Sequence, residues 1–141
     1  MATLYGPSAR LIWSLASSGI GTTITGAGNS GPWSNTGVTL SAQTAIDLRD
    51  AVDVALMVTV GAITGSPSLT VLLNVFDDQG NPYAAPGITT AAITAAGNAL
   101  VSGGLHGHTG TQLVLPAWGQ VAWTQTGSGS VTGTEIALYA R

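Results

Sequence analysis

Apolar and polar positions alternate most plainly between residues 52 and 75. Val52, Val54, Leu56, Val58 and Val60 take every second position, with Asp53, Ala55, Met57 and Thr59 between them. A period of two sends the two sets to opposite faces of an extended chain, so this run predicts a half-buried strand. Residues 61–68 (GAITGSPS) then supply Gly, Pro and Ser, the residues of turns. Leu69, Val71, Leu73 and Val75 alternate with Thr70, Leu72, Asn74 and Phe76, and DDQGNP at 77–82 closes the run. Two alternating runs joined by a turn predict an antiparallel pair.

Weaker copies of the pattern flank this centre. Leu11, Trp13 and Leu15 alternate near the start. Val38 and Leu40 follow a Gly/Asn/Ser/Pro loop, and Ile46 and Leu48 precede a turn at Arg49 and Asp50. Leu113 and Leu115 alternate before Pro116. Val121, Trp123 and Gln125 run up to the GSGS loop at 127–130, and Ile136, Leu138 and Ala140 form the last run, with Glu135, Ala137 and Tyr139 opposite. Residues 88–100 (ITTAAITAAGNAL) pull both ways, since Ala favours helix while Thr and Ile favour strand. We read them as strand, with Gly97 and Asn98 suited to a turn. The sum is an all-β fold, a single antiparallel β-sandwich or jelly-roll-like domain of about eight strands. No internal repeat or linker divides the chain, so the sandwich covers 11–141. Residues 1–10 (MATLYGPSAR) lack alternation and read as an N-terminal arm anchored by Tyr5, Pro7 and Arg10.

Composition narrows the function. Charged residues make up 6% of the 141, against about 25% in an average globular chain. Lysine and cysteine are absent, and 20 Gly, 19 Thr and 12 Ser stand in the sequence. Without cysteine there is no disulfide scaffold, cysteine zinc site or thiol nucleophile. Three arginines and a net charge of -3 make no basic footprint for nucleic acid or for anionic lipid. No apolar run reaches the roughly 18 residues of a membrane span, and no basic-then-apolar leader opens the chain. A surface this poor in charge departs from that of a soluble monomer; either its hydroxyls suffice for solubility or much of it is buried against other subunits, and of the two we favour a subunit of an assembly.

Candidate chemistry is sparse. Gly26, Gly28 and Gly31 match GxGxxG, but a dinucleotide site needs that motif to open a helix, and the following PWSNT does not begin one. They read as a Gly/Ser loop. His106 and His108 form H-x-H in GGLHGHTG. A zinc site needs at least a third ligand, so these histidines read as polar loop residues facing solvent or a neighbour. Three chains meeting on an axis could share a metal through them. Asp77 and Asp78 are turn residues that miss the calcium-loop pattern, and Asp47, Arg49 and Asp50 read as a local surface ion pair of little weight. With no G-x-S-x-G, H-E-x-x-H or P-loop lysine, neither an enzyme nor a cofactor is expected. Trp13 and Trp123 have the inward parity of their strands and read as core. Trp33 and Trp118 lie beside Pro or Gly in loops, where an exposed indole can anchor a protein or stack on a sugar.

Residues 113–141 (LVLPAWGQVAWTQTGSGSVTGTEIALYAR) run from a strand through Pro to W-G-Q, then a strand ending in T-x-T-G, a loop and a last aliphatic strand. With residues 45–63 and 69–82 upstream, this layout resembles the small capsid decoration, or cement, proteins of tailed bacteriophages. The resemblance implies a β-rich structural subunit, often a homotrimer, on the virion exterior. Made in the host cytoplasm, it would bind the major capsid protein and stabilise the lattice, with no catalytic residue to carry over. Tyr5, Pro7, Arg10, Trp33, Trp118, His106 and His108 are the candidate interface residues. The alternative is a carbohydrate- or receptor-binding module of a phage tail or head fibre.

Overall fold

The computed structural model describes residues 9–15, 21–30, 46–76, 82–104 and 118–141. Among these residues there is no helix, and eleven strands form two antiparallel sheets. The strands are β1 (Arg10–Leu15), β2 (Thr22–Ile24), β3 (Gly28–Asn29), β4 (Ile46–Asp47), β5 (Asp53–Val60), β6 (Ala62–Gly65), β7 (Ser68–Phe76), β8 (Pro82–Thr89), β9 (Gly97–Gly104), β10 (Trp118–Thr126) and β11 (Gly129–Ala140). One sheet runs β1-β11-β5-β9, with β2 and β6 also paired to β11. The other runs β3-β10-β7-β8, with β4 also on β10. The described residues alone hold eleven strands, where about eight were expected for the whole chain, and three of them (β2, β4 and β6) are pieces of two to four residues off the main paths.

The alternating runs face each other through one core, an arrangement consistent with a β-sandwich. Val54, Leu56, Val58 and Val60 of β5 and Leu69, Val71, Leu73 and Val75 of β7 are all buried, and Val121, Ile136, Leu138 and Ala140 join the same cluster. Each such side chain contributes roughly 1.5–3 kcal/mol on burial, so period two in the sequence fixes which face of each strand turns inward.

The two central runs do not pair with each other, contrary to expectation. β5 pairs with β11 and β9, and β7 with β10 and β8. The connecting residues, read as a turn, contain β6, whose Ile63 stands opposite Val131 and Gly65 opposite Gly129. This strand carries the chain past β11 before it enters the second sheet. A hairpin would set two one-faced strands side by side, whereas opposite sheets let each cover the other's apolar face. Val52, placed with the inward set, precedes β5 and is exposed.

Residues 88–100 are also not one strand. Ile88 and Thr89 end β8, and β9 starts at Gly97. Between them the chain is stitched to β7 by other means. The Thr90 hydroxyl accepts a bond from the Val71 N–H at 3.0 Å, the Thr90 N–H donates to the Val71 carbonyl, and Ile93 and Leu69 exchange two backbone bonds. A hydroxyl that accepts a backbone N–H substitutes for a ladder bond, so Ala content does not turn this stretch helical. Val38, Leu40, Leu113, Leu115 and the turn at 77–81 lie outside the described residues.

The pairings nest. β1 pairs with β11, β3 with β10, β5 with β9 and β7 with β8. In the main path of each sheet these pairs are joined through β11 and β5 in one case and through β10 and β7 in the other.

Candidate functional site

The nested pairing brings Arg10, Ala140 and Val54 into one row and sets Trp118 opposite Asp47. These strand ends share one end of the sandwich, because β4 leads through a short turn into β5. Buried Ile46 and Leu48 hold that turn down, and the Leu48 carbonyl accepts the Ala51 N–H at 3.0 Å. Arg49 and Asp50, between these anchors, therefore point to solvent.

Arg49 is fixed by two partners. Asp47 Oδ1 accepts from the Arg49 backbone N–H and from Nε, both at 3.0 Å, and Oδ2 accepts from Nη2 at 2.7 Å. The guanidinium carbon stands 5.2 Å from the centre of the Trp118 ring, a cation–π distance. The bidentate fork, the backbone bond and Arg10 nearby hold the Asp47 carboxyl well below its ordinary value, at about 2. The same contact with Asp47 raises the Arg49 guanidinium. Two of the five guanidinium N–H groups are committed to Asp47, and the side chain is exposed.

A second ion pair closes the same end. Asp53 Oδ2 accepts from Arg141 Nε at 2.8 Å and lies 2.7 Å from Nη2, while the Arg141 carbonyl accepts the Val52 and Asp53 N–H groups. Seven charged residues are described: Arg10, Asp47, Arg49, Asp50, Asp53, Glu135 and Arg141. All but Glu135 lie at this end, three arginines against three aspartates. The resulting surface is polar, electrically balanced and held by two ion pairs.

Of the interface candidates, Arg10 and Trp118 come to this end together. Arg10 opens β1 rather than belonging to an arm. Tyr5, Pro7, Trp33, His106 and His108 lie outside the described residues, as do Asp77 and Asp78. Among the described residues no three His, Cys, Asp or Glu side chains gather to hold a metal. Trp13 and Trp123 are partly buried and pack on the core, as their parity predicts. Gly28 sits in β3, where a Cβ would come within 2.6 Å of the Trp123 ring. This glycine makes room for an indole, which accounts for it without a phosphate loop, and Gly31 is outside the described residues. The contact between Arg49 and Trp118 is the feature that local spacing could not reveal, because its partners are distant in sequence.

No protein-family model matches the chain, and no curated protein matches it.

Proposed function

We propose that the chain is a structural virion protein that binds the outside of a phage-type capsid and stabilises the major-capsid lattice. The observation that carries this reading is the pooling of six charged residues with Trp118 at one end of a domain that elsewhere bears only Glu135 among its described residues. Electrostatic complementarity sets register and partner choice at an interface, while aromatic and arginine side chains supply the anchors. A stacked, bidentate Arg49 is already ordered before it meets a partner, which lowers the entropy lost on binding.

The fold reading is a jelly roll. Pairing first with last, and so inward to β7 with β8, describes a four-pair ribbon rolled into two facing sheets. That architecture serves both capsid and lectin domains, so fold alone does not choose between docking and sugar binding. The local geometry favours docking, because Arg49 occupies one face of the Trp118 ring, a face that a sugar would need.

Quantitative mass spectrometry of purified particles tests the assignment. Hundreds of copies in a simple ratio to the shell protein support it. A dozen or fewer would move the chain to a tail or fibre, where glycan-induced changes in tryptophan fluorescence become the next measurement. Complete absence from particles would end the virion reading. Capsid occupancy of Arg49→Ala and of a chain lacking residues 1–8 then locates the contact: the proposal expects reduced occupancy for Arg49→Ala with unchanged circular dichroism.

A further inference from the structure

The outer face of the β1-β11-β5-β9 sheet carries an apolar patch that the core does not use. Of the five exposed large apolar residues, three fall on it: Leu11 at 52%, Met57 at 44% and Leu100 at 64% exposure. Half-buried Tyr139 stands beside Leu11. Register arranges the face in two rows across four strands. The first is Leu11, Tyr139, Ala55 and Ser102, and the second is Ser14, Ala137, Met57 and Leu100. Large side chains thus fill one diagonal pair of quarters, and Ala or Ser fills the other.

This pattern is self-complementary. Consider a second copy laid face to face about a two-fold axis in the plane of the interface. With the axis across the strands, Tyr139 meets the second copy's Ala137, Ala55 meets Met57 and Ser102 meets Leu100. With the axis along the strands, Tyr139 meets Ala55, Ala137 meets Met57 and Ser14 meets Leu100. In both cases every large side chain meets a small one, and the strands of the two sheets lie aligned, the usual mode of sheet stacking. Charge does not oppose the contact. Asp53 at the rim is neutralised by Arg141, and Glu135 lies in the next row, beside Thr59.

We propose that this face is a docking surface for a second copy of the same chain, related by a two-fold axis. It rests on the self-association expected of a lattice subunit, makes that association two-fold where the resemblance implies a trimer, and needs no capsid. Four strands spaced about 4.8 Å apart and about seven residues long give a flat footprint of roughly 400 Å². That is below the roughly 800 Å² per partner of a standard interface, so the dimer is reversible and depends on concentration.

Analytical ultracentrifugation of the isolated full chain is the test. Dimerisation that rises with concentration is expected, with at least tenfold weakening in Met57→Glu/Leu100→Glu and none in Thr94→Glu, an exposed site away from the face. Ala55→Trp, which sets large against large, should weaken it too. Because the chain has no cysteine, engineered cysteines report geometry directly. Disulfides between Ala55→Cys and Met57→Cys copies, or between Ala137→Cys and Met57→Cys copies, are expected. Self-linking of Leu100→Cys instead would mean edge-to-edge pairing of β9 and would overturn the stacked arrangement. So would a monomer at all concentrations, or association indifferent to Met57→Glu/Leu100→Glu. Loss of capsid binding with the dimer intact would count against the capsid reading alone.

Discussion

Thr134 is fully buried in β11, and its hydroxyl has no hydrogen-bond partner among the described residues. An unpaired buried hydroxyl forfeits its bonds to water and gains nothing in return. Thr134→Val keeps the shape and removes that group, so it should raise stability by about 1 kcal/mol; thermal or urea unfolding that shows a loss would contradict the assignment. Asp47 gives a second test of this kind. Its folded value of about 2 lies below the ordinary 3.8 because Arg49 bonds the charged form. A group depressed in the folded state contributes above its unfolded value, and the contribution fades as pH falls towards the folded value. The Arg49 contact should therefore persist at pH 4 and dissolve near pH 2. A carboxyl NMR titration of Asp47 should place its midpoint there, and in Arg49→Gln the midpoint should return towards 3.8. The Trp118 indole resonance should move with the same midpoint in the native chain, since protonation of Asp47 frees the guanidinium above the ring.

The longest strand bends at a glycine. In β11 the residues before Gly133 pair with β6 and those after it with β5, while on the other side β2 straddles Gly133, with Ile24 opposite Val131 and Thr22 opposite Thr134 across a register shift, and β1 takes over from Ile136. Gly133 has φ +60°, and Gly21, just before β2, and Gly61, between β5 and β6, press against it: a Cβ on Gly61 would come within 3.2 Å of the Gly133 Cα and one on Gly21 would collide with the Gly133 backbone. Gly133→Ala should cost roughly 1–3 kcal/mol from the left-handed backbone alone. Gly21→Ala should cost more, because backbone cannot yield as a side-chain tip can. Equal stability of either variant with the parent, by denaturant unfolding, would show that the kink is looser than described. This is also where legibility in the sequence stops. Val54 to Val60 and Leu69 to Val75 announce their buried faces, because one-sided burial forces period two. The choice of partner strand leaves no such trace, since either neighbour accepts the same alternation. β6 is hidden for a further reason: in ITG one partly buried apolar residue sits between turn formers. The charged end was half legible. The local pair of Asp47 and Arg49 follows from adjacency in a turn, whereas the indole that receives Arg49 is brought by β10 through long-range pairing.

At the scale of the whole molecule, the nested order makes the last strand the partner of four of the five other strands in its sheet. β11 is the pairing partner of β1, β2, β5 and β6, so the Arg10–Ala140 pairing spans nearly the entire chain. The entropy of closing so large a loop must be met before these contacts reward it. Local structure cannot substitute, because the described residues hold no helix that could form early. Refolding followed by tryptophan fluorescence should therefore fall in the range of milliseconds to seconds typical of sandwiches rather than microseconds. A chain ending at residue 128 sharpens the point. It keeps β3, β4, β7, β8 and β10, enough in principle for the second sheet, but leaves the apolar faces of Val54, Leu56, Val58 and Val60 without the strand that joins β5 to β1. If the two sheets form one cooperative unit, this truncation has no β-type circular dichroism signal and is digested as fast as denatured protein. If the second sheet is autonomous, a protease-resistant fragment containing β7, β8 and β10 survives, and the shared core would then be a contact between two folding units rather than the basis of a single one.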